Sequence, residues 1–313
     1  MNTATHEASK HRITKTRLAP TPSGFLHAGN AFSFVLTWLL ARQTGGSLLL
    51  RIDDLDSDRV RPAYIADVFE TLHWLGLDWD DGPRNPEEFA ERFSQTHRLG
   101  LYHDLLRRLR TETDLVYACD CSRAKILKNA PNGLYPGTCR HRNLPLDAPG
   151  VAWRIRVPEN AHITPNDIRR KDETCNVAAL MGDFVVRRKD GVPAYQVASL
   201  ADDLHFGINC IVRGADLLPS TAAQVWLAQL LGADAFANAA FHHHPLLTDE
   251  TGSKLSKSAG AASLKAVREA GQSPAGIFRR VARYLGLPAE SIETAQDLLR
   301  TATGHKADLW NLR

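Results

Sequence analysis

The chain has 313 residues, 43% of them apolar and 23% charged, with a formal net charge of +3. That length supports one large domain or two ordinary ones, and the balance is that of a soluble globular protein. No apolar run is long enough to span a membrane, so no membrane partner is expected, and a charge of +3 neither requires nor forbids nucleic acid.

Residues 1–12 are polar and lack the apolar centre of a signal peptide, so they read as a disordered leader on a cytoplasmic protein. The stretch from Arg17 to Asn30 begins as an extended run, breaks into a loop rich in Pro, Thr, Ser and Gly, and enters an apolar helix from Ala31 to Gln43. A strand, a small-residue turn and a helix N-terminus together favour anion binding, because free N–H groups and the helix dipole point the same way. Gly45 and Gly46 end the helix, and Ser47–Ile52 is a continuous apolar run of the kind a buried parallel strand shows. Strand, loop, helix and strand make a βαβ unit. Asp53, Asp54 and Asp56 follow, where α/β proteins bind ligands at the carboxyl ends of strands.

Ala63–Leu75 has helical spacing, Trp79–Pro83 is a turn, and Pro86–Arg110 reads as one or two charged amphipathic helices. From about 115 to 190 the composition changes to clustered cysteines, Pro-Asn and Pro-Gly turns, and short β-type runs at Val151–Val157 and Asp183–Arg187. This segment is expected to be an insertion between two halves of a nucleotide-binding fold. Ala194–Asp203 returns to helical spacing, Ile208–Arg213 reads as a second core strand, and Thr221–Leu231 as a helix. Phe241–Leu247 is a strand or loop holding His242, His243 and His244. Successive strand residues face opposite ways, so these three are expected to be solvated or near a nucleotide rather than to share one ion. From about Ser263 the chain reads as helical.

Gly252-Ser-Lys254-Leu-Ser-Lys257-Ser places two lysines in a Gly/Ser-rich loop, able to offset charge developing at a pyrophosphate leaving group. Pro-Thr-Pro-Ser-Gly-x-Leu-His-x-Gly-Asn at 20–30 and Lys-Leu-Ser-Lys-Ser at 254–258 resemble the two nucleotide motifs of class I aminoacyl-tRNA synthetases. Arg17–Gly24, Arg51–Asp56, Ala194–Val197 and Val212–Asp216 resemble the glutamyl branch of that class. The resemblance covers about residues 14–265. It implies an α/β fold: a Rossmann-type class I synthetase catalytic domain over 13–114 and 191–262, a zinc-containing insertion over 115–190, and a short helical C-terminal region over 263–313 without an anticodon-binding domain.

By that resemblance, His27, Gly29, Asn30 and Lys257 bind ATP, which brings Mg²⁺, and His27, Lys254 and Lys257 serve catalysis. Asn30 stands where a second histidine is commoner. Glutamate is expected against Arg17, Leu18, Ala19, Pro20 and Thr21, with Arg17 and Arg213 on its carboxylates, Tyr195 offering a hydroxyl and Asp53 facing the ammonium. The family more often has Glu at that acidic position, so Asp53 is one methylene short.

Five cysteines, three of them between Cys119 and Cys139, suit metal binding in a reducing compartment better than a disulfide framework. Cys119, Cys121 and Cys139 supply three thiolates for a structural zinc. Donor chemistry alone nominates His141 as the fourth ligand, since imidazole is far commoner than phenolate. Cys-x-Cys followed by Tyr-x-x-x-Cys resembles the zinc site of glutamyl-queuosine tRNA(Asp) synthetases, which implies Tyr135 instead. Cys175 and Cys210 are expected in the core.

This last family implies glutamate, ATP and tRNA(Asp) carrying queuosine as partners, and a monomer is expected. The implied reaction forms glutamyl-adenylate and passes glutamate to the queuosine base. Charging of the 3′ end of tRNA(Glu), or tRNA or nucleotide binding without catalysis, are the alternatives.

Overall fold

The computed structural model describes residues 12–130, 133–247, 263–305 and Trp310. The expected leader up to residue 11 and the lysine stretch, with Lys254 and Lys257, lie outside them. In chain order β1 (Lys15–Leu18), α1 (Ala28–Thr44), β2 (Ser47–Leu50) and α2 (Pro62–Trp74) are followed by a one-turn α3 (Pro86–Glu88) and by α4 (Leu99–Glu112). Then come β3 (Val116–Cys119), α5 (Arg123–Asn129), β4 (Ala152–Ile155), β5 (His162–Ile163), β6 (Asn166–Asp167), β7 (Cys175–Asn176), α6 (Val177–Met181) and β8 (Phe184–Arg187). The remaining elements are α7 (Tyr195–His205), β9 (Cys210–Gly214), α8 (Leu218–Leu230), α9 (Asp234–Ala237), β10 (Ala240–His244), α10 (Leu264–Glu269), α11 (Ala275–Tyr284) and α12 (Ala295–Gly304).

These elements form two compact units. The first takes the described residues up to His97, then Ile208–Asp216, and those from Ala240 onward. Its strands are parallel: β1 pairs with β2, with Arg17 opposite Leu49, and β9 pairs with β10, with Arg213 opposite His243. Ser47 N–H donates to Thr14 C=O, while Asn209 N–H donates to Lys15 C=O. Successive carbonyls of a strand point to opposite edges, so the chain entering β9 meets the edge of β1 away from β2. Leu48, Leu49 and Leu50 are buried, as a continuous apolar run in a parallel sheet requires.

Helix α1 is buried along nearly all of its length from Ala31 to Ala41, and α11 and α12 pack on it. It starts three residues before the expected Ala31, because His27 caps an otherwise polar first turn. It ends at Gly45, whose φ of 69° places it in the left-handed region and lets its N–H bond Ala41 C=O.

Of the one or two helices expected over Pro86–Arg110, the structure has the interrupted form. After α3 comes a π-helical turn closed by Ser94 N–H on Phe89 C=O, then a tight turn over Gln95–Arg98. Long-range bonds impose the break. Ser94 Oγ donates to Asp54 Oδ2 at 2.6 Å, Gln95 N–H to Asp54 Oδ1 at 2.8 Å, and Leu55 N–H to Gln95 Oε1 at 2.9 Å.

The histidines of β10 are not solvated: His242, His243 and His244 are all buried. Their alternation holds. His242 Nε2 meets Tyr284 Oη at 2.9 Å and His244 Nε2 meets Ser33 Oγ, while His243 stacks with Phe241. Aromatic and hydroxyl partners on α1 and α11 turn an expected polar run into core.

The second unit holds Arg98–Gly207 and Leu217–Ala239. Its centre is the antiparallel sheet β3-β4-β8, with Tyr117 opposite Arg154 and a register shift at Trp153/Arg154. Helix α7 packs on α4 and α8. The fully buried Asp202 joins two of these helices by accepting from Tyr102 Oη at 2.9 Å and from both Nε and Nη2 of Arg98. A buried carboxylate without such donors would cost several kcal/mol, roughly. Cys175 and Cys210 are buried, as expected of core residues.

Candidate active site and metal centre

In the first unit the expected ligand residues gather at the carboxyl ends of parallel strands. Arg17 is the penultimate residue of β1 and Arg213 of β9, and both are buried. Arg51 N–H donates to Leu18 C=O and Asp53 N–H to Pro20 C=O, each at 2.9 Å. These bonds lay Leu18–Thr21 directly beside Arg51–Asp53. Ala19 is half-buried there and Thr21 is exposed.

Asp53 is not idle. Its Oδ1 accepts Nε of Arg51 at 2.8 Å and its Oδ2 accepts Nη2 at 3.2 Å, with both side chains buried. A substrate ammonium would therefore share this carboxylate with a guanidinium. The shorter Asp favours that sharing, because two residues apart on an extended chain Arg51 and Asp53 face the same side. The Arg-x-Asp spacing carried this signal, but only the acidic partner was picked out from the sequence.

His27 is the N-cap of α1 with extended backbone (φ −131°). Its Nδ1 accepts Gly29 N–H at 3.2 Å, and its own N–H donates to Asn30 Oδ1 at 3.0 Å, forming a reciprocal capping box. With Nδ1 accepting, the neutral ring carries its proton on Nε2, a donor at the positive end of the helix dipole. Asn30, where a second histidine is commoner, uses its oxygen for the cap and keeps its NH₂ as a donor. Gly29 leaves room for this ring: a Cβ would stand 3.1 Å from His27 Cε1 and crowd it. Backbone and imidazole together form an anion cradle.

Tyr195 belongs to the second unit. It opens α7 and is 41% exposed.

The second unit also holds a cluster of metal-ligating type. The Sγ atoms of Cys119, Cys121 and Cys139 all lie within 4.8 Å of one another, and all three residues are buried. Cys121 and Cys139 Sγ are 3.6 Å apart, while Tyr135 Oη lies 3.3 Å from Cys119 Sγ and 3.7 Å from Cys121 Sγ. A tetrahedron with zinc–sulfur arms of about 2.3 Å has edges near 3.8 Å, so the three buried thiols, with Tyr135 Oη beside two of them, are compatible with zinc. His141 is exposed and lies outside the converging group.

Charge around the cluster is graded. Burial pushes the Cys119 thiol up, but hydrogen bonds from Tyr135 and Arg154 outweigh it and hold the thiol below its ordinary value. Burial and the neighbouring thiols push Cys121 up. Burial, then bonds to the cysteines, push the Tyr135 phenol up, an order that a bound cation reverses. The Arg154 guanidinium stacks 3.8 Å over the Tyr135 ring, and Arg142 Nη1 lies 3.4 Å from Cys139 Sγ. Next to Cys139, Arg140 makes a bidentate pair with the fully buried Asp183, which also accepts Val157 N–H and Tyr117 Oη. Sequence reasoning missed Arg154, Arg140 and Asp183, because nothing local marks a partner on another strand.

The sequence profile described as "tRNA synthetases class I (E and Q), catalytic domain" matches residues 14–136 and 146–309. A glutamyl-Q tRNA(Asp) synthetase of Nitratidesulfovibrio vulgaris is 38% identical over 312 residues, covering 93% of each chain. Another, from Symbiobacterium thermophilum, is 41% identical and covers 87% of this chain and 86% of its own. Among solved structures, the glutamate-tRNA synthetase of Elizabethkingia anophelis superposes with a TM-score of 0.75 at 26% identity, over 96% of this chain and 67% of that longer one. The profile match spans most of the described fold, including the α1 cap and the parallel strands, and the chain belongs to the class I tRNA synthetase family of the glutamyl and glutaminyl type.

Proposed function

We propose that the protein activates glutamate with ATP and transfers it to the queuosine base of tRNA(Asp). The observation that carries this reading is the match over about nine-tenths of both chains to a relative named for that reaction, at 38% identity. Within the first unit, the His27 cap of α1 and the buried Arg17, Arg213 and Asp53 support the first half. His27 and the N-terminus of α1 cradle the triphosphate, Arg17 and Arg213 take the glutamate carboxylates, Tyr195 adds a hydroxyl, and Asp53 takes the ammonium. Lys254 and Lys257 offset charge on the departing pyrophosphate. The glutamate α-carboxylate attacks the α-phosphorus: an O–P bond forms, the α–β bond breaks, and pyrophosphate leaves. A hydroxyl of the queuosine cyclopentene diol then attacks the activated carbonyl. A C–O bond forms, AMP departs with the anhydride electrons, and the hydroxyl proton passes to solvent.

Most of the catalytic gain is positioning, since the nucleophile belongs to the substrate. Mg²⁺ bound with ATP neutralises phosphate charge. A structural zinc is held by Cys119, Cys121, Cys139 and Tyr135. The functional division follows the sequence reading, with catalytic segments 13–114 and 191–262, the insertion 115–190 and helical 263–313. The five free cysteines suit the cytoplasm, and no helix among the described residues is long and apolar enough to cross a membrane. A monomer completes the reading.

A relative from Syntrophus aciditrophicus named glutamate–tRNA ligase 2, 35% identical, keeps the alternative of 3′-end charging in view. Labelled glutamate offered with tRNA(Asp) bearing or lacking queuosine, and with tRNA(Glu), decides between them. Transfer only to the queuosine form, in an alkali-sensitive linkage that survives removal of the 3′ adenosine, is expected. Labelling of tRNA(Glu) alone sinks the proposal.

A further inference from the structure

The turn that caps α1 is gripped by groups with no assigned part in the chemistry. Asp67, on α2, is 2% exposed. Its Oδ2 accepts Leu26 N–H at 2.9 Å, one residue before the His27 cap. Its Oδ1 accepts Nη2 of Arg268, on α10, at 2.9 Å. Arg268 also donates to Thr71 Oγ1 and Glu70 Oε2, each at 2.7 Å, so its position on α2 is fixed at three points. Leu26 is held from its other side as well: its carbonyl accepts Leu264 N–H, the first residue of α10, at 2.8 Å. A closed ring results, running from Leu26 through Asp67 and Arg268 to α10 and back through Leu264. Both leucines are buried, Phe25 packs edge-on against Tyr64 at 5.0 Å, and Lys265 Nζ lies 5.6 Å from the Phe25 ring centre.

Tying down one loop N–H does not need a charge, since a carbonyl or hydroxyl oxygen would serve. A buried carboxylate is costly unless paired, and here the pair spans two helices that have no contact with each other in sequence. What the arrangement adds is rigidity at the residue that sets how the chain enters α1. The direction of the first N–H groups and of the His27 ring follows from that entry angle. Where a ligand is held by donors fixed in place, loosening those donors costs affinity for that ligand, because they must be ordered again on binding.

We propose that Asp67 and Arg268 are a positioning pair for ATP, acting through Leu26 on the His27 cap. This rests on the reading that the triphosphate lies at the N-terminus of α1. The pair also has a sign. Asp67 is an anion beside an anion-binding turn, and Arg268 neutralises it. Removing Arg268 therefore harms ATP binding more than removing the Asp67 charge, and removing both harms it less than the sum of the two.

The test measures ATP dissociation constants by calorimetry and KM and kcat by glutamate-dependent pyrophosphate exchange. The proteins are wild type, Asp67→Asn, Arg268→Met, Arg268→Lys and the double variant. We expect Arg268→Met to weaken ATP about tenfold and Asp67→Asn less, with KM for glutamate unchanged and kcat within about twofold. Arg268→Lys should recover most of the loss. Unchanged ATP affinity in both single variants, or equal losses in every parameter, overturns the pair. Wild-type protein that binds ATP without exchange overturns the proposed function but leaves this comparison intact; wild type that binds no ATP overturns both. Should the variants fail to fold, amide exchange in wild type decides. ATP is expected to slow Leu26 and Leu264 together, and slowing of Leu26 alone refutes the ring.

Discussion

The turn before α1 makes its site mostly from backbone, whereas the Cys119–Cys139 segment makes its site wholly from side chains. At the turn, hydrogen bonds within the chain hold the cap and the first N–H groups of the helix. In the cysteine cluster the donors converge, but their protonation opposes binding: burial pushes Cys121 and Tyr135 up, and only Cys119 is held down. On the proposed reading the first site is preorganised for a substrate that comes and goes. The second, already packed together as a buried cluster with Tyr117, would gain further stability from a cation that deprotonates its ligands.

The sharpest way to break this contrast is to remove the metal. Stripping zinc with a strong chelator should cost the second unit on the order of 5 kcal/mol. Amides of β3 should lose exchange protection while those of α1 keep theirs. Equal loss in both, or an unchanged melt in protein shown by mass spectrometry to be zinc-free, refutes the structural zinc. Ligand identity follows from the same preparation. Tyr135→Phe should weaken zinc by about 100-fold in competition with a chromogenic chelator, and His141→Ala should leave it unchanged. The reverse result would make His141 the ligand.

A smaller effect sharpens the other side. Asp53→Asn leaves the Arg51 guanidinium buried against a neutral amide, which should cost about 3 kcal/mol of stability by urea unfolding. KM for glutamate should rise about tenfold, with ATP affinity unchanged. If Asp53 serves only Arg51, stability falls and KM for glutamate stays put. That outcome would remove Asp53 from the substrate site and leave the ammonium to another group.

How much of this was legible follows from how local each signal is. α1 and β2 could be read because each is an apolar run, and the three clustered cysteines could be read by spacing alone. The first turn of α1 could not, since Ala28, Gly29 and Asn30 have no apolar face and glycine is a poor helix former; the cap does the work. The break at Ser94 was hidden because its cause, Asp54, is 40 residues away. The same holds for Asp67 and Arg268, 201 residues apart, and for Arg140 and Asp183, 43 apart. Of the two alternatives expected for the β10 histidines, solvated or near a nucleotide, the first fails for a related reason. Their composition is polar, and only the fold supplies Ser33 and Tyr284.

Those histidines give the smallest and most specific effect. His244 is buried, and burial is the main cause that holds its pKa below the ordinary 6.5, outweighing the opposing pull of Pro245 C=O and Asp216. Its Nδ1–H donates to Pro245 C=O at 2.9 Å, so Nε2 is left to accept the Ser33 hydroxyl, and the neutral ring fits both bonds. The sign follows from linkage. Above pH 6.5 neither state binds the proton and His244 contributes no slope. As the pH falls through 6.5 the unfolded chain takes up a proton that the folded ring refuses, so stability is lost. The slope cannot exceed about 1.4 kcal/mol per pH unit for one group. Urea unfolding at pH 7.5 and 5.5 should therefore show a smaller acid loss in His244→Leu than in wild type, although the variant forfeits the Ser33 bond at both. Because Ser33 lies on α1 one turn beyond Asn30, the bond also holds β10 to the anion-binding helix. An identical acid loss in both proteins would place the titrating group elsewhere. It would also leave His244 as packing alone, with no proton-dependent tie between β10 and α1.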